Sequence, residues 1–384
     1  MAIDITRRMF STGAVLGAMA ASKTMAQTGT LMGSAAAQGA SDILSGLREE
    51  FPIPAISGAV VRNGETIWSD TQGFADLELG VAASPDHLFR LGSVSKVVTA
   101  AIGARLVDGG IVELDAPIAT YRPDLPEVHR ATTLRQLYSH QGGVRHYGLN
   151  DLSPMSEGGS IDTKVYRNTD DALALFIDDP LVAEVGTSVN YSTFGYTLIS
   201  AVLESASGTE FTRLIAEQVA GPLALTRLHH DDMLALIPGR VGLYDPPVIY
   251  QRFMPMPDVD VVNSFSANPA YKWAGGGMVG SASDVARFGA AQMSGDFLSD
   301  AMRETLFTPR AQMSPEIGLG LGWRIDGHET LGSRYHHAGN MQGCRAQLAL
   351  YPEHGLSVAL ISNLGATPGP ILGYTDRIAQ AFTG

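Results

Sequence analysis

The sequence predicts an α+β fold: an antiparallel sheet built from both ends of the chain, flanked by helices, with a helical lobe inserted between. Three observations lead there. Short apolar runs with strand character lie near both ends. The middle of the chain carries apolar residues at helical spacing. Asn63-Gly64, between two apolar-rich runs from Ile56 to Trp68, marks a tight hairpin, because that pair accepts positive φ. Strands at both ends with helices between are most economically packed as one sheet covered by helices.

Taken in order, residues 1–26 read as an address. Thr6-Arg7-Arg8-Met9-Phe10 is a twin-arginine pattern, Gly13 to Ala21 is a short apolar stretch, and Lys23-Thr24-Met25-Ala26 supplies a small-residue exit. The stretch is too short to span a bilayer. A twin-arginine signal cleaved after Ala26 predicts a periplasmic or secreted product; a disordered basic tail is the plainer alternative. Residues 27–40, rich in Gly, Ala and Ser, predict a flexible lead-in, and 41–384 the folded domain. Within it, the sheet lobe takes about 41–92 and 310–384, and the helical lobe about 93–309.

Leu44, Leu47 and Phe51 at helical spacing predict a helix over Ser41–Phe51, capped by Ser41 or Asp42. Further helices are predicted at Val97–Leu106, ended by Gly109-Gly110, and at Thr133–Tyr138, Asp170–Phe176, Phe194–Ser205 and Phe211–Val219. Another runs over Asp284–Met293 after Gly275-Gly276-Gly277, with Ser283 as its cap. Residues 235–272 hold many prolines and aromatics without a period and predict irregular loop. Strands are predicted at Gly322–Ile325, Arg345–Tyr351 and Leu356–Ser362, the last two joined through Pro352-Glu353-His354-Gly355, and a helix at Ile371–Phe382 closes the chain.

Composition removes several function classes. With 384 residues and 45% hydrophobic content the chain can bury a large core, and a net charge of −13 leaves no basic footprint for nucleic acid. The same charge disfavours anionic lipid surfaces. The single cysteine, Cys344, rules out an intrachain disulfide and reads as a small buried hydrophobe. No stable membrane span is predicted, and oligomeric state is not legible.

Three groups of residues carry chemistry. Gly92-Ser93-Val94-Ser95-Lys96 stands where an extended segment, His87 to Leu91, turns into an apolar helix. Residues three apart share a helix face, so Ser93 and Lys96 are neighbours. A lysine whose pKa is depressed can take the serine proton, and the helix N-terminus favours developing negative charge. Alone, the motif is equally a capping serine followed by a solvated lysine. In Val189-Asn190-Tyr191-Ser192-Thr193, Tyr191 and Thr193 lie two apart in extended chain and point the same way. A phenol beside a lysine can relay protons to a leaving group; alone, it is a tyrosine at a helix entrance. Third comes Tyr335-His336-His337-Ala338-Gly339-Asn340. Consecutive histidines on a strand face opposite ways, which weakens the rival reading of a metal pair. His337-Ala338-Gly339 is the stretch to place in a site, with Gly339 admitting close backbone approach and the N–H of Asn340 joining that of Ser93 as an oxyanion hole.

The order Ser-x-x-Lys, Tyr-x-Thr and His-x-Gly resembles the serine beta-lactamase and penicillin-binding protein superfamily. It is most similar to the branch of class C beta-lactamases, D-alanyl-D-alanine carboxypeptidases and family VIII esterases. Phe89 to Lys96, Asp108 to Asp115, Leu137 to Val144, Gly275 to Val279 and Gly320 to Trp323 support the resemblance, and Gly143 to Tyr147 is similar to the mitochondrial serine-beta-lactamase-like proteins. The resemblance implies that Ser93 is the acyl-accepting nucleophile, Lys96 its base and Tyr191 the proton relay. It implies substrate-binding roles for Thr193, His337 and Gly339, a structural loop at Ser139-His140-Gln141-Gly142-Gly143, and no metal or organic cofactor. Thr193 stands where the family usually has Asn, and His337 where true beta-lactamases have Lys; both argue against efficient penicillin hydrolysis. The expected activity is hydrolysis of an ester or amide in a small-molecule or peptide substrate through an acyl-enzyme. A catalytically weak binding or scaffold protein is the alternative.

Overall fold

The hairpin forms at Asn63-Gly64, where φ is 49° and 87°. It joins Ala55–Arg62 (β1) to Glu65–Asp76 (β2) with Arg62 opposite Glu65, the two-residue loop in which both positions need positive φ. This is seen in a computed structural model that describes residues 35–383, apart from 154, 155, 158, 252, 253, 266, 367 and 368. The twin-arginine signal at 1–26 and the lead-in up to residue 34 lie outside the described residues.

The remaining strands, in chain order, are Val81–Ala82 (β3), Phe89–Arg90 (β4), Leu228–His230 (β5), Tyr244–Asp245 (β6), Val262–Asn263 (β7) and Met278–Gly280 (β8). They continue with Ala311–Gln312 (β9), Gly318–Leu319 (β10), Arg324–His328 (β11), Gly332–Met341 (β12), Cys344–Tyr351 (β13) and Leu356–Ser362 (β14). Among the described residues nine of them form one antiparallel sheet in the order β3-β2-β1-β14-β13-β12-β11-β10-β9, so that β1 from the N-terminal part pairs with the last strand of the chain. Every residue of β14 is buried, because helices cover both faces. Leu356, Val358 and Leu360 alternate into a core with Leu44, Trp68 and Ile378, from the helices Ala35–Glu50 and Leu372–Ala381 and from β2. Ala359 and Ile361 point the other way, into the core shared with Val285 and Phe288 of helix Ala282–Gln292. That helix was expected in the helical lobe; it packs on β1 and β14 instead. Gly289 permits the approach, since a Cβ there would lie 2.3 Å from Ser357 Oγ and 2.8 Å from Leu350 Cδ2.

The first helix begins at Ala35, six residues before the predicted Ser41. Ala37 and Ala40 extend the buried stripe of Leu44 and Leu47 at spacings of three and four, and alanine is the best helix former, so a stretch that reads as linker by composition is helical. Ser41 is therefore no cap; its hydroxyl accepts from Trp68 Nε1 at 3.3 Å. Ser281, not Ser283, caps Ala282–Gln292, accepting from the Asp284 N–H. The helix predicted over Phe211–Val219 is α-helical at Phe211–Leu214 and widens to a π-helix over Ile215–Ala220. Residues 322 and 323 form a turn before β11, with Gly322 at φ 79°, rather than part of a strand. Between the ends of the sheet lie the helices Ser95–Asp108, Leu134–Tyr138 and Thr193–Ser207 and a small sheet, β4-β8-β5. Among the described residues no helix is long and apolar enough to cross a membrane.

Gly46 lies inside Ala35–Glu50 with nothing within 4 Å of an added Cβ. Gly46→Ala is expected to stabilise the fold by about 0.5–1 kcal/mol, because alanine loses less backbone freedom in a helix. The midpoint of thermal unfolding checks it; an unchanged or lower midpoint would show that the helix carries no stability of its own.

Candidate active site

The turn that presents Ser93 is fixed from both sides. On one side β4 pairs with β8, and the Leu91 N–H donates to the Met278 carbonyl at 2.9 Å. Arg90, 4% exposed, donates through Nε to Asp231 at 2.7 Å and anchors the strand in the core. On the other side β12 comes so close that only glycines fit. A Cβ on Gly92, which has φ +50°, would lie 2.8 Å from the Asn340 amide nitrogen. A Cβ on Gly339 would lie 2.0 Å from the Leu91 carbonyl oxygen. The backbone amide of Asn340 is thereby held against the Gly92–Ser93 turn. Ser93 sits in a 3-10 turn, Gly92–Val94, that leads into helix Ser95–Asp108.

Lys96 is wholly buried under that turn. Its Nζ donates to Ser93 Oγ at 3.3 Å, to Thr193 Oγ1 at 3.1 Å and to the Gly275 carbonyl. No carboxylate is among these partners. Burial, then the positive charges of Lys272 and Arg324, hold its pKa well below that of an ordinary lysine. As a neutral amine it keeps two N–H groups, enough for Thr193 and the Gly275 carbonyl, and its lone pair is left for the Ser93 proton.

Tyr191 completes the group. Lys96 Nζ lies 4.9 Å from the centre of its ring, and the Ser93 hydroxyl is close enough to its phenol to act on the phenol's pKa. Burial pushes the phenol up to about 12, so it carries its proton at neutral pH. The segment before helix Thr193–Ser207 is held by His140, which accepts the Ser192 N–H on Nδ1 at 3.2 Å and the Asn190 N–H on its carbonyl at 2.8 Å. The His140 ring packs against that of Tyr191, centroids 4.4 Å apart, and the residue takes the left-handed conformation, φ 59°, uncommon for a side chain of this size. The Ser139–Gly143 loop thus positions the tyrosine.

The two histidines of β12 diverge as expected. His336 turns to Asp326, Nε2 to Oδ2 at 3.3 Å. His337 lies on the Tyr191 side, ring centroids 6.4 Å apart, and donates from Nδ1 to the Ala338 carbonyl at 2.8 Å. Burial and the charge of Arg324 keep His337 well below the usual histidine range and hence neutral.

Thr193 is 1% exposed, and its hydroxyl accepts from Lys96 Nζ, so it orients the lysine. His337 is 2% exposed. Gly339 acts through its backbone. Five further residues join the group without having been singled out for it: His140, His146, Tyr147, Lys272 and Arg324. His146 accepts the Thr193 N–H on Nδ1 at 3.1 Å. Burial and the charges of Lys96 and Lys272 lower its pKa to about 4. A larger cleft, about 770 Å3, lies among Arg105, Arg287 and Phe297 and contains none of these residues.

Over residues 41–381 the chain matches the Beta-lactamase family. It is 28% identical over 319 residues to the serine beta-lactamase-like protein LACTB, mitochondrial, of Homo sapiens, covering 66% of this chain and 56% of that protein. It therefore spans little more than half the length of the mitochondrial relatives it matches. It is 28% identical over 324 residues to Esterase EstB of Burkholderia gladioli, covering 77% of this chain and 81% of that one. Among solved structures, the D-amino acid amidase from Ochrobactrum anthropi SV3 complexed with D-phenylalanine superposes with a TM-score of 0.77 at 21% identity, over 91% of this chain and 99% of that one. At that identity the likeness is one of fold.

Proposed function

The chain belongs to the beta-lactamase family, and on that premise we propose that it is a serine hydrolase that cleaves an ester or amide through an acyl-enzyme on Ser93. One observation carries the reading: hydroxyl, buried amine and phenol meet at one point, with Lys96 Nζ 3.3 Å from Ser93 Oγ and 4.9 Å from the Tyr191 ring centre. Lys96 as a neutral amine takes the Ser93 proton while Oγ bonds to the carbonyl carbon. The N–H groups of Ser93 and Asn340 stabilise the oxyanion. As the tetrahedral intermediate collapses, the Tyr191 phenol gives its proton to the leaving oxygen or nitrogen and regains one from Lys96. The amine, neutral again, then deprotonates the water that releases the acyl group.

The names of relatives support the ester or amide class: one is an esterase, and a structural neighbour is an amidase. A neutral His337 where a lysine would carry charge weighs against penicillins as the preferred substrate. The test is labelling of the full chain with a fluorophosphonate, followed by turnover of a p-nitrophenyl ester, nitrocefin and a D-alanyl peptide. We expect an adduct on Ser93 that Ser93→Ala abolishes, and turnover of the ester. An intact protein with no Ser93-dependent adduct would favour a binding or scaffold protein instead.

A further inference from the structure

Beside Asn340, which lines it, lies a cavity of about 220 Å3 whose wall also holds Tyr147, Leu152, Lys272, Met341 and Gln342. Its direction relative to the chemistry follows from β12. Tyr191, which serves the leaving group, lies at the His337 end of that strand. The cavity lies at the other end, past the oxyanion amide. It is therefore on the side that the acyl group of a substrate occupies, and this assignment rests on the acyl-enzyme reading above.

The wall of this cavity holds an ammonium that makes no hydrogen bond to the protein among the described residues. Lys272 is 4% exposed. Its stem and the nucleophile turn both pack against Gly276: a Cβ on Gly276 would lie 3.6 Å from Lys272 Cδ and 3.7 Å from the Gly92 carbonyl carbon. Among the described residues its Nζ donates to no hydrogen-bond acceptor. It faces the rings of Tyr271 and Tyr147 at 4.9 Å and 5.2 Å, and Asp162 Oδ1 at 3.9 Å, beyond hydrogen-bond reach. Asp162 is occupied elsewhere, accepting from the Tyr271 hydroxyl at 3.0 Å and from Gln342 Nε2 at 2.8 Å. The carboxylate on the wall, Asp245, accepts from the Gly343 N–H and from the hydroxyls of Tyr250 and Ser264. Both acids are thus engaged by neutral donors. An ammonium has three N–H groups to place, and a ligand in the cavity can accept them.

We propose that this cavity is an acyl-side subsite for substrates whose acyl chain ends in a carboxylate, with Lys272 as the residue that binds it. The carboxylate supplies the acceptors that Nζ lacks. The cavity is smaller than the ~300–1,000 Å3 typical of drug-sized ligand sites, so the acyl chain is short: a half-ester or half-amide of a small dicarboxylic acid.

The experiment compares two esters with the full chain: mono-(4-nitrophenyl) glutarate and 4-nitrophenyl butyrate. In the wild type the charged ester is expected to have the higher kcat/KM by about tenfold or more, the range of one charge-assisted hydrogen bond. In Lys272→Gln that ratio falls to near one, mainly through KM of the charged ester, and Lys272→Arg restores part of it. A second measurement needs no variant. Free glutarate slows fluorophosphonate labelling of wild-type Ser93, and butyramide at the same concentration does not. If the wild type cleaves butyrate at least as well as glutarate, or glutarate gives no protection, the subsite is wrong and the hydrolase reading stands. If the preference survives in Lys272→Gln, Lys272 is not its source. A folded wild type that neither forms the Ser93 adduct nor cleaves either ester removes the hydrolase reading, and this proposal with it.

Discussion

Replacing Lys96 by methionine is expected to slow acylation of Ser93 by about two to four orders of magnitude, the usual contribution of a positioned general base. Methionine fills nearly the same volume, so the loss belongs to the amine, and fluorophosphonate labelling measures it directly. The pH dependence gives an independent check. Acylation by the wild type should rise with pH through a single group whose pKa lies below that of a free lysine, because the neutral amine is the active form. Arg324→Gln removes one of the positive charges that depress Lys96 and should move that rising limb to higher pH. Stability has its own sign. In the folded state Lys96 gives up its proton at a lower pH than in the unfolded chain, where lysine titrates at about 10.4. Between those two values the unfolded state binds more protons, so stability rises with pH across that window. Below it the cost of charging the buried amine is fully present and constant. Lys96→Met should reduce this rise to what Lys272, also lowered by burial, contributes, read from unfolding midpoints at several alkaline pH values. A labelling rate within threefold of wild type would show that another group takes the Ser93 proton.

The second large effect is expected at Gly339. An alanine there would put Cβ 2.0 Å from the Leu91 carbonyl oxygen and 3.0 Å from its carbon, and neither is a side chain that can swing aside. β12 or the nucleophile turn must shift, and either movement separates the Asn340 amide from Ser93. Loss of one oxyanion donor costs about 100–1,000-fold in rate. Overpacking of a well-filled interior adds about 1–3 kcal/mol of destabilisation. Gly339→Ala should therefore lose both labelling rate and thermal midpoint, whereas Gly46→Ala, the same change in open space, should gain midpoint and keep its labelling. Wild-type labelling in Gly339→Ala would mean that the Asn340 amide has no part in acylation.

What could be read from the chain, and what could not, divides by the range of the interactions. Ser93 and Lys96 are one turn apart, so local helix geometry was enough to pair them. The hairpin at Asn63-Gly64 and the alternation that parts His336 from His337 are local rules of the same kind. Tyr191 and His337 took their places through the order of motifs in a family resemblance, since nothing local ties them to Ser93. Lys272, Arg324 and His146 act on the group only through packing across the fold. Lys272 lies in the aperiodic stretch 235–272, where no hydrophobic pattern marks a buried cation. The backbone direction of Thr193 is legible in the sequence, and its burial is not. The two-residue strands β3, β4, β6, β7, β9 and β10 are too short for a period of two to register. Helix Ala35–Glu50 was shortened because Ala, Gly and Ser suggest a linker, although three of residues 35–37 are alanine and the buried stripe begins there.

The neighbour order of the large sheet has a consequence for synthesis. β1 is made well before β14, one of its two partners. Until then its outer edge offers unpaired amides and carbonyls from a strand of apolar residues, a template for foreign strands. Covering that edge during translation is a task for a chaperone or for slow elongation, and a chain cut short before Leu356 should accumulate as aggregate rather than as a partly active fragment.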